Sequence, residues 1–256
     1  MRATSFSRLV GSALGVLALV AFTHAGYAAG RVTGFESGDE AIQSIGDAGT
    51  QGTYQGEAPP EGSLQYLITT IGTNSANEDG LTKQSSSNAV ASASLNTFFF
   101  GQAVSNQEGS GILIPFTVGA GDTTLTFQYD FLSNEPAQAT PRADFAFDAI
   151  FTTGGTLQGS VNHFQTASAS NPASLFGAQT PFIFHTGYQT LSLNISGLAA
   201  GTYDLGIGVS DTTNTSHASG LLIDNVQVAA VPEPSTLGLM LAGVASLAAV
   251  RRRIRK

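Results

Sequence analysis

Asp144 and Asp148 lie four residues apart in the run Asp144-Phe145-Ala146-Phe147-Asp148. In an extended strand successive side chains alternate, so Asp144, Ala146 and Asp148 share one face and Phe145 and Phe147 the other. Two carboxylates on one face repel unless water solvates them, a proton neutralises one, or a cation bridges them. Asn134 and Glu135, at the end of the preceding apolar run, can reach the same point. Glu135, Asp144 and Asp148 therefore form a candidate cation site, set against the plainer alternative of a solvated acidic edge. Calcium is the cation expected there, because it takes six to eight oxygens from carboxylates, carbonyls and water.

Catalytic patterns are missing. His163, His185 and His217 are scattered without HExxH spacing, and no Gly-x-Ser-x-Gly elbow or nucleotide-type glycine loop occurs. The chain has no cysteine, which excludes thiolate metal sites, thiol nucleophiles and disulfides. It has no tryptophan to stack a sugar, although Tyr54, Tyr66, Tyr188 and Phe98-Phe99-Phe100 offer aromatic platforms. A run of three phenylalanines ordinarily marks a buried strand with one ring left at an edge. The chain reads as a non-enzyme.

The elements that must position these residues are strands. Thr123 to Phe131 alternates, with Leu125, Phe127, Tyr129 and Phe131 facing one way and Thr124, Thr126, Gln128 and Asp130 the other. Thr190 to Ile195 and Thr202 to Ser210 behave likewise. In the latter, Tyr203, Leu205, Ile207 and Val209 point inward and Asp204, Gly206 and Gly208 outward. Leu64 to Ile71, Ile112 to Val118 and a closing run from Leu221 to Val228 complete the set. In that closing run Asp224 alternates in phase with Leu222, Val226 and Val228. Glycine-rich turns at 119–122, 154–155 and 197–201 separate the runs. With no amphipathic helix in evidence, the expected fold is all-β, a jelly-roll-like β-sandwich. Residues 72–97 and 164–180 have weak periodicity and read as long loops or irregular edges.

Both ends differ from this body. Arg2 and Arg8 precede an apolar run from Leu9 to Phe22, and Gly26-Tyr27-Ala28 supplies small residues for a cleavage site. Residues 1–28 read as a signal-peptide helix. At the other end Val231-Pro232-Glu233-Pro234 is followed by an uncharged, mostly apolar run, Ser235 to Val250, and then by Arg251, Arg252, Arg253, Arg255 and Lys256. As a helix the 16-residue run spans roughly 24 Å, and snorkelling arginines extend its reach toward the ~30 Å of a bilayer core. Transmembrane segment 235–250 with a basic stop therefore forms a membrane-retention device. The domains follow as signal peptide 1–28, extracellular β-sandwich 29–230 and sorting segment 231–256. The body carries three basic residues (Arg31, Lys83, Arg142) against seventeen acidic ones. That balance argues against nucleic acid or anionic lipid as a partner.

The tail resembles the PEP-CTERM sorting signal of Gram-negative bacteria, through Pro232-Glu233-Pro234, the apolar segment and the arginine cluster. The resemblance implies processing by an exosortase near Pro232–Pro234, after transient anchoring in the membrane. It also implies association with exopolysaccharide and the cell surface. Tyr129 to Glu135 followed by Asp144 to Asp148 is similar to the "choice-of-anchor" domains of bacterial surface proteins, which carry no assigned activity. Gly34-Phe35-Glu36 near the start and Ile223-Asp224-Asn225-Val226 near the end resemble the bracket of bacterial carbohydrate-binding-like sandwiches. By that resemblance Glu36 and Asp224 are calcium ligands. A strand-end Asp224 capping backbone amides is the alternative.

The expectation is an exported protein of the cell surface, extracellular matrix or biofilm, processed by an exosortase, with a non-catalytic structural or adhesive role. The alternatives are a specific carbohydrate-binding module, with extracellular polysaccharide as partner, and a secreted glycan-active enzyme.

Overall fold

The alternating runs become strands of two packed sheets. The computed structural model describes residues 30–36, 41–72, 88–105, 107–134, 144–167, 174–175, 182, 184–212 and 217–230. The signal peptide, the sorting segment with its apolar run, and Glu135 lie outside the described residues. Among the described residues no helix is long and apolar enough to cross a membrane.

Chain order gives β1 (Gly30–Thr33), β2 (Gln43–Ile45), β3 (Asp47–Gln51), β4 (Gln65–Thr69) and β5 (Val90–Ala91). A short helix, α1 (Ser92–Phe98), follows. The long strands come next, β6 (Glu108–Val118), β7 (Asp122–Ser133) and β8 (Phe145–Thr152). Three shorter ones are β9 (Asn162–Thr166), β10 (Ser174–Leu175) and β11 (Phe184–His185). The chain closes with β12 (Gln189–Asn194), β13 (Gly201–Ser210) and β14 (Ser219–Ala230).

The first sheet has eight strands and runs β10-β11-β7-β14-β4-β3, with β1 also on β14 and β12 also on β7. The second has six and runs β2-β6-β13-β8-β9, with β5 also on β6. Between them lies the main core. It takes Ile112, Ile114, Phe116 and Val118 from β6, Leu125, Phe127, Tyr129 and Phe131 from β7, and Tyr203, Leu205, Ile207 and Val209 from β13. The period-two pattern survives because a face removed from water gains about 25 cal/mol for each Å² of apolar surface buried. The first and last strands are neighbours, β1 pairing antiparallel with β14.

The face that alternation turns away from the core in β13 does face outward, and it is covered, while three other local expectations are corrected. Gly206 and Gly208, with Gly111 on β6, leave room there for the rings of Phe99, Phe147 and Phe151. Those rings, with Leu95 and Leu113, form a second cluster on the outside of the six-stranded sheet. The three phenylalanines are not a strand. Phe98 ends α1, Phe99 is buried, and Phe100 turns outward at φ 55°.

Part of the supposed loop at 72–97 is regular. Residues 73–87 lie outside the described residues, but β5 and α1 follow them. The helix has seven residues, no side-chain cap and one buried residue, Leu95, so packing rather than propensity holds it. Finally, Asp224 does not share a face with Val226 and Val228. Asn225 at φ 53° makes a bulge that shifts the β14–β7 register between Asp224 and Gln227. Leu221, Ile223, Val226 and Val228 enter the main core, whereas Leu222 joins a third cluster with Tyr54, Leu67, Ile71, Leu132 and Phe182.

Candidate functional site

The third cluster covers the outer face of the eight-stranded sheet, and the buried Asp130, His185 and Asp224 belong to the strands of that sheet. Each central strand there is flanked by two short partners in succession. β4 pairs with β14 over residues 220–223 and β1 over residues 226–228, which leaves the Asp224–Asn225 bulge between them. β11 pairs with β7 over residues 132–133 and β12 over 124–129, which leaves 186–188 between them. The segment 52–64 folds back near these two gaps, held by the half-buried Glu36 and the buried Asp224.

Glu36 sits just past β1. Its Oε1 accepts the amides of Ser63 and Leu64, both at 2.8 Å, and its Oε2 accepts the Ser63 hydroxyl at 2.8 Å. Asp224 Oδ2 accepts the Glu61 amide at 2.8 Å, and Oδ1 accepts the Asn225 amide at 2.7 Å. Burial pushes the Asp224 carboxyl up to about 6, against the opposing pull of those two amides. The structure therefore brings Glu36 and Asp224 to one stretch of backbone, where their oxygens receive amide hydrogens.

Asp144 and Asp148 do share a face, as alternation requires, but the face is the sandwich interior. Asp144 is 0 % exposed and Asp148 1 %, so the acidic edge is not solvated. Asp144 Oδ2 accepts the Ser219 hydroxyl at 2.8 Å and its Oδ1 the Thr212 amide at 3.3 Å, tying the two sheets together. Asp148 Oδ2 accepts Asn162 Nδ2 at 3.1 Å, and its Oδ1 is buried without a hydrogen-bond partner. Burial raises the Asp148 carboxyl to about 6. The two aspartates serve different contacts at opposite ends of one run.

A different constellation converges under segment 52–64. Asp130 of β7 and His185 of β11 are both buried, and Nδ1 of His185 stands 3.0 Å from Asp130 Oδ2. Glu57 brings Oε1 to 3.7 Å from the same nitrogen. Asp130 Oδ1 accepts the Thr186 amide at 3.0 Å and its hydroxyl at 3.1 Å, which leaves Oδ2 turned toward the imidazole. The Glu57 backbone is pinned as well. It exchanges two hydrogen bonds with Tyr54, and its carbonyl accepts Gln65 Nε2 at 3.1 Å. Tyr188 donates its hydroxyl to Gln65 Oε1. Burial, with the charges of Asp130, Asp224 and Glu57, holds that hydroxyl protonated well above its ordinary range. Burial also pushes the Asp130 carboxyl up, partly offset by His185 and Thr186.

Glu57, Asp130 and His185 come from three separate stretches, and no short window of sequence connects them. Asp130 itself sat on the polar face of its alternating strand, with Thr124, Thr126 and Gln128, and gave no local sign of the site.

A family model described as the PEP-CTERM protein-sorting motif matches residues 230–256. The motif implies export, transient membrane anchoring and exosortase processing. No curated protein matches the chain. Among solved structures, a carbohydrate-binding module, TmCBM61, in complex with β-1,4-galactotriose is 7% identical. It covers 77% of this chain and 94% of its own, with a TM-score of 0.42. The K2 cleaved adhesin domain of Lys-gingipain is 12% identical over 80% of this chain and 98% of its own, with a TM-score of 0.41. The CBM22-1 xylan-binding domain of Xyn10C from Paenibacillus barcinonensis is 14% identical over 82% and 99%, with a TM-score of 0.38.

Proposed function

We propose that this chain is an exported β-sandwich that an exosortase releases from a transient membrane anchor to serve a non-catalytic structural or adhesive role in the cell surface or its polysaccharide matrix. The observation that carries the reading is the junction at Ala230. The closing strand β14 ends there, and the sorting motif begins at the same residue. β14 is also a central strand of its sheet, paired with β7 along one edge and with β4 and β1 along the other. A cut near Pro232 to Pro234 thus falls just beyond the last ladder pair of β14 with β7, Ala230 with Asp122, and leaves the described strand pairs intact. The acidic body suits a hydrated extracellular setting, where like charge resists self-association.

The test is processing in an exosortase-containing host. Wild-type chain is expected as a shortened, membrane-free product. Replacing Pro232, Glu233 and Pro234 by alanine is expected to leave a longer, membrane-bound precursor. Normal shortening of that variant would sink the proposal, as would normal shortening in a host that lacks the exosortase.

A further inference from the structure

We infer that Glu57, Asp130 and His185 form a binding site for a zinc-type divalent cation that clamps segment 52–64 onto the eight-stranded sheet. Their ligand atoms, one imidazole nitrogen and two carboxylate oxygens, all lie within 4.8 Å of one another. A tetrahedral ion with bonds of about 2.0–2.1 Å sets its ligand atoms roughly 3.3 Å apart. The two distances from His185 Nδ1, 3.0 Å to Asp130 and 3.7 Å to Glu57, bracket that value.

Charge supports the same assignment. Two carboxylates face one imidazole nitrogen, at 3.0 Å and 3.7 Å. A protonated imidazole brings one positive charge to this pair, whereas a divalent ion brings two and leaves the histidine neutral as a ligand. The surrounding shell is built as metal sites require. Thr186 fixes one Asp130 oxygen so that the other points at the centre. The site is also reachable. Side-chain exposure rises from 0% at Asp130 and 8% at His185 to 30% at Glu57, so an ion and a fourth ligand from water enter on the Glu57 side.

The donor set selects the class of ion. Nitrogen plus two oxygens suits zinc, cobalt and their first-row neighbours. Calcium prefers six to eight oxygens and is a poor match for imidazole. In a chain with no cysteine, such a clamp does what a disulfide does elsewhere, tying a long loop to the core.

The experiment uses the full chain in mild detergent, stripped with chelator and titrated with zinc. One zinc per chain is expected, with a melting temperature several degrees higher and a loss of that gain on adding chelator. Cobalt is expected to give the intense visible bands of a four-coordinate nitrogen–oxygen site. His185→Gln and Glu57→Gln are each expected to weaken zinc binding by at least about tenfold. Glu57 is partly exposed, so Glu57→Gln decides the matter if His185→Gln fails to fold. Unaltered zinc affinity in Glu57→Gln, or no zinc uptake by the wild type, overturns the inference.

Discussion

Leu222 and Val226 are four residues apart on β14, yet they face opposite sides of the sheet. Leu222 packs with Tyr54 and Leu67 on the outer face, and Val226 packs in the main core. In a regular strand residues four apart lie on the same side. Asn225, at φ 53°, supplies the extra residue that reverses the parity, and its Nδ2 donates to Gln128 Oε1 at 2.9 Å. Asp224, in phase with Leu222, faces outward to hold segment 52–64, and the bulge after it brings Val226 and Val228 into the core.

The bulge makes a prediction. Asn225→Val forces a β-branched residue into the left-handed region and is expected to cost about 2 kcal/mol of stability. Asn225→Gly loses the same side-chain hydrogen bond but tolerates the backbone, so it is expected to cost about 1 kcal/mol or less. Equal losses in urea denaturation would show that the side chain, not the backbone, is what matters.

Gly206 and Gly208 are expected to tolerate no side chain. A Cβ on Gly206 would sit 2.8 Å from a Phe99 carbon, and one on Gly208 would overlap the Phe147 ring. Gly206→Ala and Gly208→Ala are each expected to cost about 1–3 kcal/mol through overpacking. Gly197→Ala, where nothing lies within 4 Å, is the control and is expected to change stability by less than about 0.5 kcal/mol. A neutral Gly208→Ala in thermal melts would mean that the phenylalanine layer is not seated as described.

Buried Asp148 predicts a pH dependence. Its carboxyl titrates near 6 in the fold and near the ordinary 3.8 when unfolded. Between those values the folded chain keeps a proton that the unfolded chain has released, so stability falls as pH rises. The cost is absent below about pH 4 and complete above about pH 6, at roughly 3 kcal/mol. Asp224 contributes in the same direction. Asp148→Asn is expected to remove its share, so that its stability relative to wild type improves between pH 4 and pH 7. Parallel pH profiles for the two proteins would contradict this.

Glu36 is expected to act as the latch of segment 52–64. Glu36→Ala removes the acceptor of two amides and one hydroxyl and is expected to cost about 2–3 kcal/mol. Hydrogen exchange at the amides of Ser63 and Leu64 is expected to speed up, while that of the β6–β13 pair stays slow. Uniform acceleration across both regions would mean that Glu36 supports the whole fold rather than this segment.

Much of this was legible in the chain itself. Period-two alternation in Thr123 to Phe131 and Thr202 to Ser210 identified the inward faces, because burying one side of a sheet demands that pattern. The sorting motif was equally readable, since its parts act in order along a short contiguous stretch. Alternation also put Asp144 and Asp148 on one face. It could not tell which face was interior, because the Phe145 and Phe147 side is also buried, beneath Phe99.

What remained was decided in three dimensions. One inserted residue at Asn225 inverted the faces of β14, and no propensity marks where a bulge falls. Helix α1 forms because glycines on β6 and β13 leave space for Phe99, a condition set by strands more than ten residues away. The meeting of Glu57, Asp130 and His185 depends on two strands and a folded-back segment arriving together. Sequence patterns record which side of an element is buried. Tertiary packing decides what covers it and which polar groups are trapped beneath that cover.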